Sequence, residues 1–168
     1  MRPVRAAVIV TWCLATCLPA HAQVSYTLLD LGVLSGSTAT VTGVSSGGRV
    51  AINNPSAGRL RGWLWASGST TSLGTLGGLE AQTRGIAATS LGVPQIVGNS
   101  LTASGSSRAF LWTQGGTNGV VGNRQMRDLG TLPGGEYSDA YAVNASGRVT
   151  GYSANASGVD RAFIWNSG

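Results

Sequence analysis

From Tyr26 onwards, short apolar stretches alternate with polar, glycine-rich breaks. Ser138 to Asn144 sets Ala140 and Ala142 against Tyr141 and Val143, a period of two that predicts a half-buried strand. Asn144-Ala-Ser-Gly147 follows as a turn, because Asn bonds its own backbone and Gly accepts positive φ. Arg148–Ser153 and Asp160–Trp165 are the next strands, separated by the turn Asn155-Ala-Ser-Gly158. Upstream, Met126–Leu132 reads as a strand halted by Pro133-Gly134-Gly135. Together these make a four-stranded antiparallel meander. No window holds the i, i+3, i+4 apolar spacing of a sustained helix, and glycine recurs too often for one. The pattern predicts an all-β chain.

The meander occurs three times. Strands are expected near Tyr26–Leu31, Thr38–Ser45, Arg49–Asn53 and Leu60–Ala66 in the first copy, with turns at Ser46–Gly48 and Asn54–Gly58. The second copy has them near Thr71–Thr75, Thr83–Thr89, Gln95–Ser100 and Ser107–Trp112. The repeat units run about 26–69, 70–123 and 124–168. Each opens on D/S-L-G-x-L and closes on an aromatic-aliphatic-Trp strand, so Asp30, Gly32, Trp65, Gly74, Trp112, Asp128, Gly130 and Trp165 are read as architectural. The second copy is extended by residues 113–125, TQGGTNGVVGNRQ, where Asn118-Gly119 suits the tip of a type I′ hairpin.

These residues resemble the HAF repeat family of extracellular proteins, named for a His-Ala-Phe tripeptide. The resemblance rests on DLGVLSG (30–36), SLGTLGG (72–78) and DLGTLPGG (128–135), and on the pattern N-x-x-G-x-V-x-G-x-S in Asn144–Ser153. Ala109-Phe-Leu-Trp112 and Ala162-Phe-Ile-Trp165 match the closing A-F-L-W, with Gly62-Trp-Leu-Trp65 as a variant. Arg61, Arg108 and Arg161 stand where the family has His. The resemblance implies an exported repeat protein and brings no activity with it. A meander of this length cannot bury both faces alone, so copies must stack or close. β-Propeller-like blades, forming a partial propeller of three units, are the expected architecture; a β-trefoil is the alternative.

The first 22 residues change the picture. Arg2 and Arg5, the apolar run Ala6–Leu18 and Ala20-His21-Ala22 have the form of a secretory signal cleaved after Ala22. The apolar run of about 13 residues is shorter than the ~20 that cross a bilayer. The expectation is a secreted or periplasmic chain, with 23–168 as a single repeat domain. Both cysteines and the one histidine fall within that leader, and the sequence contains no lysine. The remaining chain therefore lacks the residue types for a Ser-His-Asp triad, a thiol nucleophile, a Schiff base or a Cys/His zinc site. No phosphate-binding loop is present. Subtracting Arg2 and Arg5 from 11 basic residues leaves nine against six acids, a net charge of +3 too mild and scattered for a nucleic-acid partner.

Carboxylates remain. Asp30, Glu80, Asp128, Glu136, Asp139 and Asp160 are the candidates for a carboxylate-dependent glycan-active enzyme, the alternative reading; Asp30 and Asp128 share one repeat position and are read as strand-end or turn contacts. Glu136 and Asp139, after a Gly-Gly turn, have oxygen ligands suited to Ca²⁺, although no EF-hand loop is present and no cofactor is expected. Alternation places Arg161, Phe163 and Trp165 on one face, with Arg108/Phe110/Trp112 and Arg61/Trp63/Trp65 as counterparts, an arrangement that stacks Arg over an aromatic ring. Because those residues recur in place, surface binding is sought where copies differ: Asn118, Arg124, Glu136 and Asp139. The leading expectation is an exported, non-catalytic binding or assembly module with a glycan, a protein, a further repeat segment or itself as partner. A fragment of a longer repeat protein is a further alternative.

Overall fold

A computed structural model of the chain describes residues 26–31 and 38–166. The expected leader and Gly32 lie outside the described residues. Residues up to Asp30 belong to one unit and those from Leu31 onwards to another. Within the first, Tyr26–Asp30 forms no strand, contrary to the pattern reading.

The second unit is all-β and contains three antiparallel sheets. The first orders β1 (Thr40–Val44), β2 (Val50–Ser56), β3 (Arg59–Ala66) and β4 (Ser69–Ser72) side by side. The second orders β5 (Gly77–Ala88), β6 (Pro94–Thr102), β7 (Ser107–Thr113) and β8 (Met126–Asp128). The third has three strands, β9 (Ser138–Val143), β10 (Val149–Ala154) and β11 (Asp160–Trp165). Each is a meander, but the frame differs from the expected one. The strand before each D/S-L-G does not open the following sheet. It closes the preceding one: β4 pairs with β3, and β8 with β7. The stretch Tyr26–Leu31 holds the same place in the repeat, and no sheet precedes it among the described residues.

Turn chemistry explains a second difference. β2 continues through Pro55 to Ser56, and the hairpin turns on Ala57-Gly58 alone, with φ of 51° and 72° and Ser56 opposite Arg59. Two positive-φ residues give the twist that joins antiparallel strands directly. The expected five-residue turn is therefore shorter.

The D/S-L-G-x-L signature crosses from one sheet to the next. Leu129 N–H donates to Ala109 O (3.0 Å) and Leu73 N–H to Gly62 O (3.0 Å), extending the closing ladder. Three residues on, Leu132 N–H donates to Ser153 Oγ (2.9 Å) and Leu76 N–H to Ser100 Oγ (3.0 Å) in the next sheet. The serine hydroxyls, both buried, donate onwards to Tyr137 O and Glu80 O. The pattern N-x-x-G-x-V-x-G-x-S now has a physical meaning. Asn144 Oδ1 accepts from Ser146 and Arg148 N–H, Val149 is core, and Ser153 receives the crossing segment. A Cβ on Gly151 would land on the carbonyl of Asp139, as one on Gly98 would land on Gln82. Only glycine lets the neighbouring strand approach so closely.

Apolar faces bury each other between successive sheets. Ala51 and Leu64 of the first meet Ile96, Phe110, Trp112 and Met126 of the second. The opposite face of the second sheet, Val97, Ala109 and Leu111, meets Ala140 and Val149 of the third, with Phe163 and Trp165 packed against them. Burying a side chain of this size contributes roughly 1.5–3 kcal/mol, so these two layers dominate stability. Two of the recurrent tryptophans serve them, Trp112 opposite Ile96 and Trp165 opposite Val149, whereas Trp65, opposite Val50, packs in a separate cluster with Val50 and Ile52.

Candidate functional site

Three β-bulges re-aim one residue each. They occur between Val41 and Gly43, Thr83 and Gly85, and opposite Thr150/Gly151, placing Thr42, Arg84 and Tyr141 at equivalent positions. An extra residue in one strand breaks the alternation locally and turns its side chain outward. All three line one cleft of about 420 Å³, together with Thr40, Asn53 and Thr83. Its floor is rigid. Asn53 Oδ1 accepts from Thr83 N–H (2.7 Å) and Oγ1–H (3.0 Å), and Asn53 Nδ2–H donates to Thr83 O (2.9 Å).

Asp139 stands at one side of this floor. It was expected at the surface but is 4% exposed. Its Oδ2 accepts from Arg84 Nη2 (3.0 Å) and Nε (3.2 Å), while Oδ1 is buried with no partner. Burial pushes the Asp139 carboxyl above its ordinary value, and the opposing pull of Arg84 does not cancel that. The Arg84 guanidinium also sits 5.3 Å from the Tyr141 ring centre. Asp139 is therefore an ion-pair partner of Arg84. Glu136 is exposed, and no group of three His, Cys, Asp or Glu suited to a metal occurs among the described residues.

The 113–125 extension folds back on the second sheet. Its tight turn is at Val121-Gly122, closed by the Val120–Asn123 bridge, and not at Asn118-Gly119. Gly119 is needed for a different reason: a Cβ there would lie 2.5 Å from Asn123 O and 2.6 Å from Met126 O. Asn123 Nδ2–H anchors the extension to Leu73 O (2.8 Å) and Thr75 O (3.2 Å). Arg124 is exposed, with its carbonyl accepting from Gly119 N–H.

Asn118 lies in a second cleft, of about 290 Å³, where the second and third sheets meet. Thr89, Gln95, Thr113, Arg127 and Trp165 share it. The Arg127 guanidinium lies 4.8 Å over the Trp165 ring. The cation–π contact was expected from Arg61, Arg108 or Arg161; among the described residues, both such contacts come from other arginines. Arg108 instead donates to Thr131 Oγ1 (2.9 Å). Gln95, 9% exposed, keeps its Oε1 buried without a partner. A buried acceptor left unpaired costs about 1–3 kcal/mol. Of the four residues expected to bind, this cleft gathers only Asn118. Arg127 was missed because it sits in β8, whose partner sheet is set by the shifted frame; Gln95 was missed because its place within the second sheet does not show that it faces the third. Trp165 had been read as packing in preference to an aromatic-cationic binding surface, because it recurs in every copy.

The remaining repeat positions are placed as follows. Asp128 Oδ1 accepts from Gly130 N–H (2.8 Å), ending β8. Gly74 and Gly130 both have φ above 70°. No described helix is long and apolar enough to cross a membrane.

No family model and no curated protein matches the chain. Among solved structures it is similar to a fucose lectin from Kordia zhangzhouensis in complex with methyl-fucoside, with a TM-score of 0.41 and 17% identity over 78% of this chain and 94% of that one.

Proposed function

We propose that this is an exported, non-catalytic binding module that takes a neutral, hydroxyl-rich ligand, a glycan, in the Gln95–Arg127–Trp165 cleft. The observation that carries the reading is the buried, unpartnered Gln95 Oε1 beside a tryptophan ring held by Arg127. A sugar ring offers an apolar face for the indole and hydroxyl donors for the amide oxygen. An anionic ligand would answer Arg127 but would leave the Gln95 acceptor facing a second acceptor. At about 290 Å³ the cleft is at the small end of ligand sites, of the order of 300 Å³, consistent with one or two rings. The three stacked meanders support a propeller-like arrangement of blades, since the second sheet buries one face on the first and the other on the third.

A carboxylate-dependent reaction finds less support, because Asp139, one of its candidates, is tied to Arg84. Binding to an immobilised glycan panel tests the proposal. The wild-type chain should retain a subset of neutral glycans, and Gln95→Leu and Trp165→Ala should each lose them. Retention by both variants at wild-type strength would refute the assignment.

A further inference from the structure

We propose that the outer edge of β11 is a self-association site, filled by the Tyr26–Asp30 stretch of a second copy of this chain. The interface continues one that the chain makes twice with itself. β3 and β7, the counterparts of β11, each carry a short antiparallel strand on that edge. On β3 the register is Trp63 with Ser72, Leu64 with Thr71 and Trp65 with Thr70. On β7 it is Phe110 with Asp128, Leu111 with Arg127 and Trp112 with Met126. Both added strands run directly into x-L-G, at Ser72-Leu-Gly74 and Asp128-Leu-Gly130. The sequence holds one more stretch of this form, Leu28-Leu29-Asp30-Leu31-Gly32.

Among the described residues, β11 lies at the edge of its sheet with β10 alone beside it. An edge strand with free N–H and C=O groups is a template for a further strand. Transferring the register of β8 puts Leu28 opposite Trp165, Leu29 opposite Ile164 and Asp30 opposite Phe163. Leu31 N–H then falls on Ala162 O, as Leu129 N–H does on Ala109 O. Exposure agrees on both sides. Ile164 is 62% exposed where its counterparts Leu64 and Leu111 are 1% and 7%, and Leu28 and Leu29 are 102% and 69% exposed. Main-chain pairing supplies the affinity, and the register supplies the specificity. The contact is head-to-tail, so copies add in one direction and close as a ring where the rotation allows.

The test uses the purified chain. Light scattering should give a mass at least twice that of one copy, rising with concentration. Leu29→Pro, which removes a ladder donor in a stretch outside the sheets, should return the single-copy mass with an unchanged far-ultraviolet spectrum. In chains with Cys13 and Cys17 replaced by Ser, mixing Leu29→Cys with Ile164→Cys should yield a disulfide-linked pair. Leu29→Cys mixed with the exposed Leu91→Cys should not. A single-copy mass at every concentration, an oligomer indifferent to Leu29→Pro, or equal cross-linking to both partners would each overturn the proposal.

Discussion

Arg127 and Trp165 belong to different sheets, yet the guanidinium of the first lies 4.8 Å over the indole of the second. Arg127 sits on β8, the strand whose sequence repeat belongs to the third unit but whose ladder belongs to the second sheet. The shifted frame therefore brings the two together. At a partly exposed site such a contact contributes about 0.5–1 kcal/mol and holds the ring in one orientation. Arg127→Ala should lower the unfolding free energy by that amount and, with the same energy lost on binding, weaken glycan retention about two- to fivefold, since each tenfold is about 1.4 kcal/mol. Arg127→Lys should recover most of the stability and less of the binding. Urea titration beside the glycan panel checks both.

Ser153 makes the crossing between the second and third sheets. Its Oγ accepts from Leu132 N–H at 2.9 Å and its hydroxyl faces Tyr137 O at 3.1 Å, at 1% exposure. Ser153→Ala leaves the part-buried Leu132 N–H unpaired and should cost about 1 kcal/mol or more in urea unfolding. Ser100→Ala should cost a similar amount, because it removes the equivalent crossing. Variants as stable as wild type would show that the crossing contributes nothing.

Gly151 faces the bulged strand β9, and a Cβ there would also lie 2.8 Å from the Ala140 Cα. Backbone cannot yield as a side chain does. Gly151→Ala should destabilise by more than about 3 kcal/mol, the upper range for overpacking. Gly158→Ala, where no atom lies within 4 Å but φ is 73°, should cost only about 1–2 kcal/mol of left-handed strain. Thermal melts of the two variants rank them.

Asp139 sets a pH dependence. Its carboxyl titrates above the ordinary 3.8 because burial disfavours the charge. A raised acid pKa means the folded state binds the proton more tightly than the unfolded chain. The associated stability is present below the unfolded pKa and is lost as pH rises through the folded one. Asp139→Asn cannot ionise, so its stability relative to wild type should rise from pH 3 upwards and level off above the folded pKa. A relative fall over that range would mean that Arg84 outweighs the burial of the carboxylate.

Much of this was legible in the sequence. Alternation at Ser138–Asn144 gives β9, and Asp160–Trp165 is β11 residue for residue, because turn residues bracket both. The triple repeat gives three sheets. The frame was not legible: period-two alternation fixes which residues share a face, but not which neighbour a strand pairs with. Met126–Asp128 is too short to announce its partner, so the frame had to come from register. Asp139 looked like surface because it follows a polar loop, and its burial depends on a bulge that brings Arg84 to it. Alternation cannot show a bulge, because one extra residue resets the period.

The measurement that bears most directly on the binding reading is the indole N–H spectrum of the ¹⁵N-labelled chain during titration with a glycan retained by the panel. The Trp165 resonance, assigned by its loss in Trp165→Phe, should shift in a saturable manner. The Trp112 resonance, from a ring 1% exposed, should stay in place. A retained glycan that shifts other residues and leaves Trp165 unmoved would contradict the proposed site.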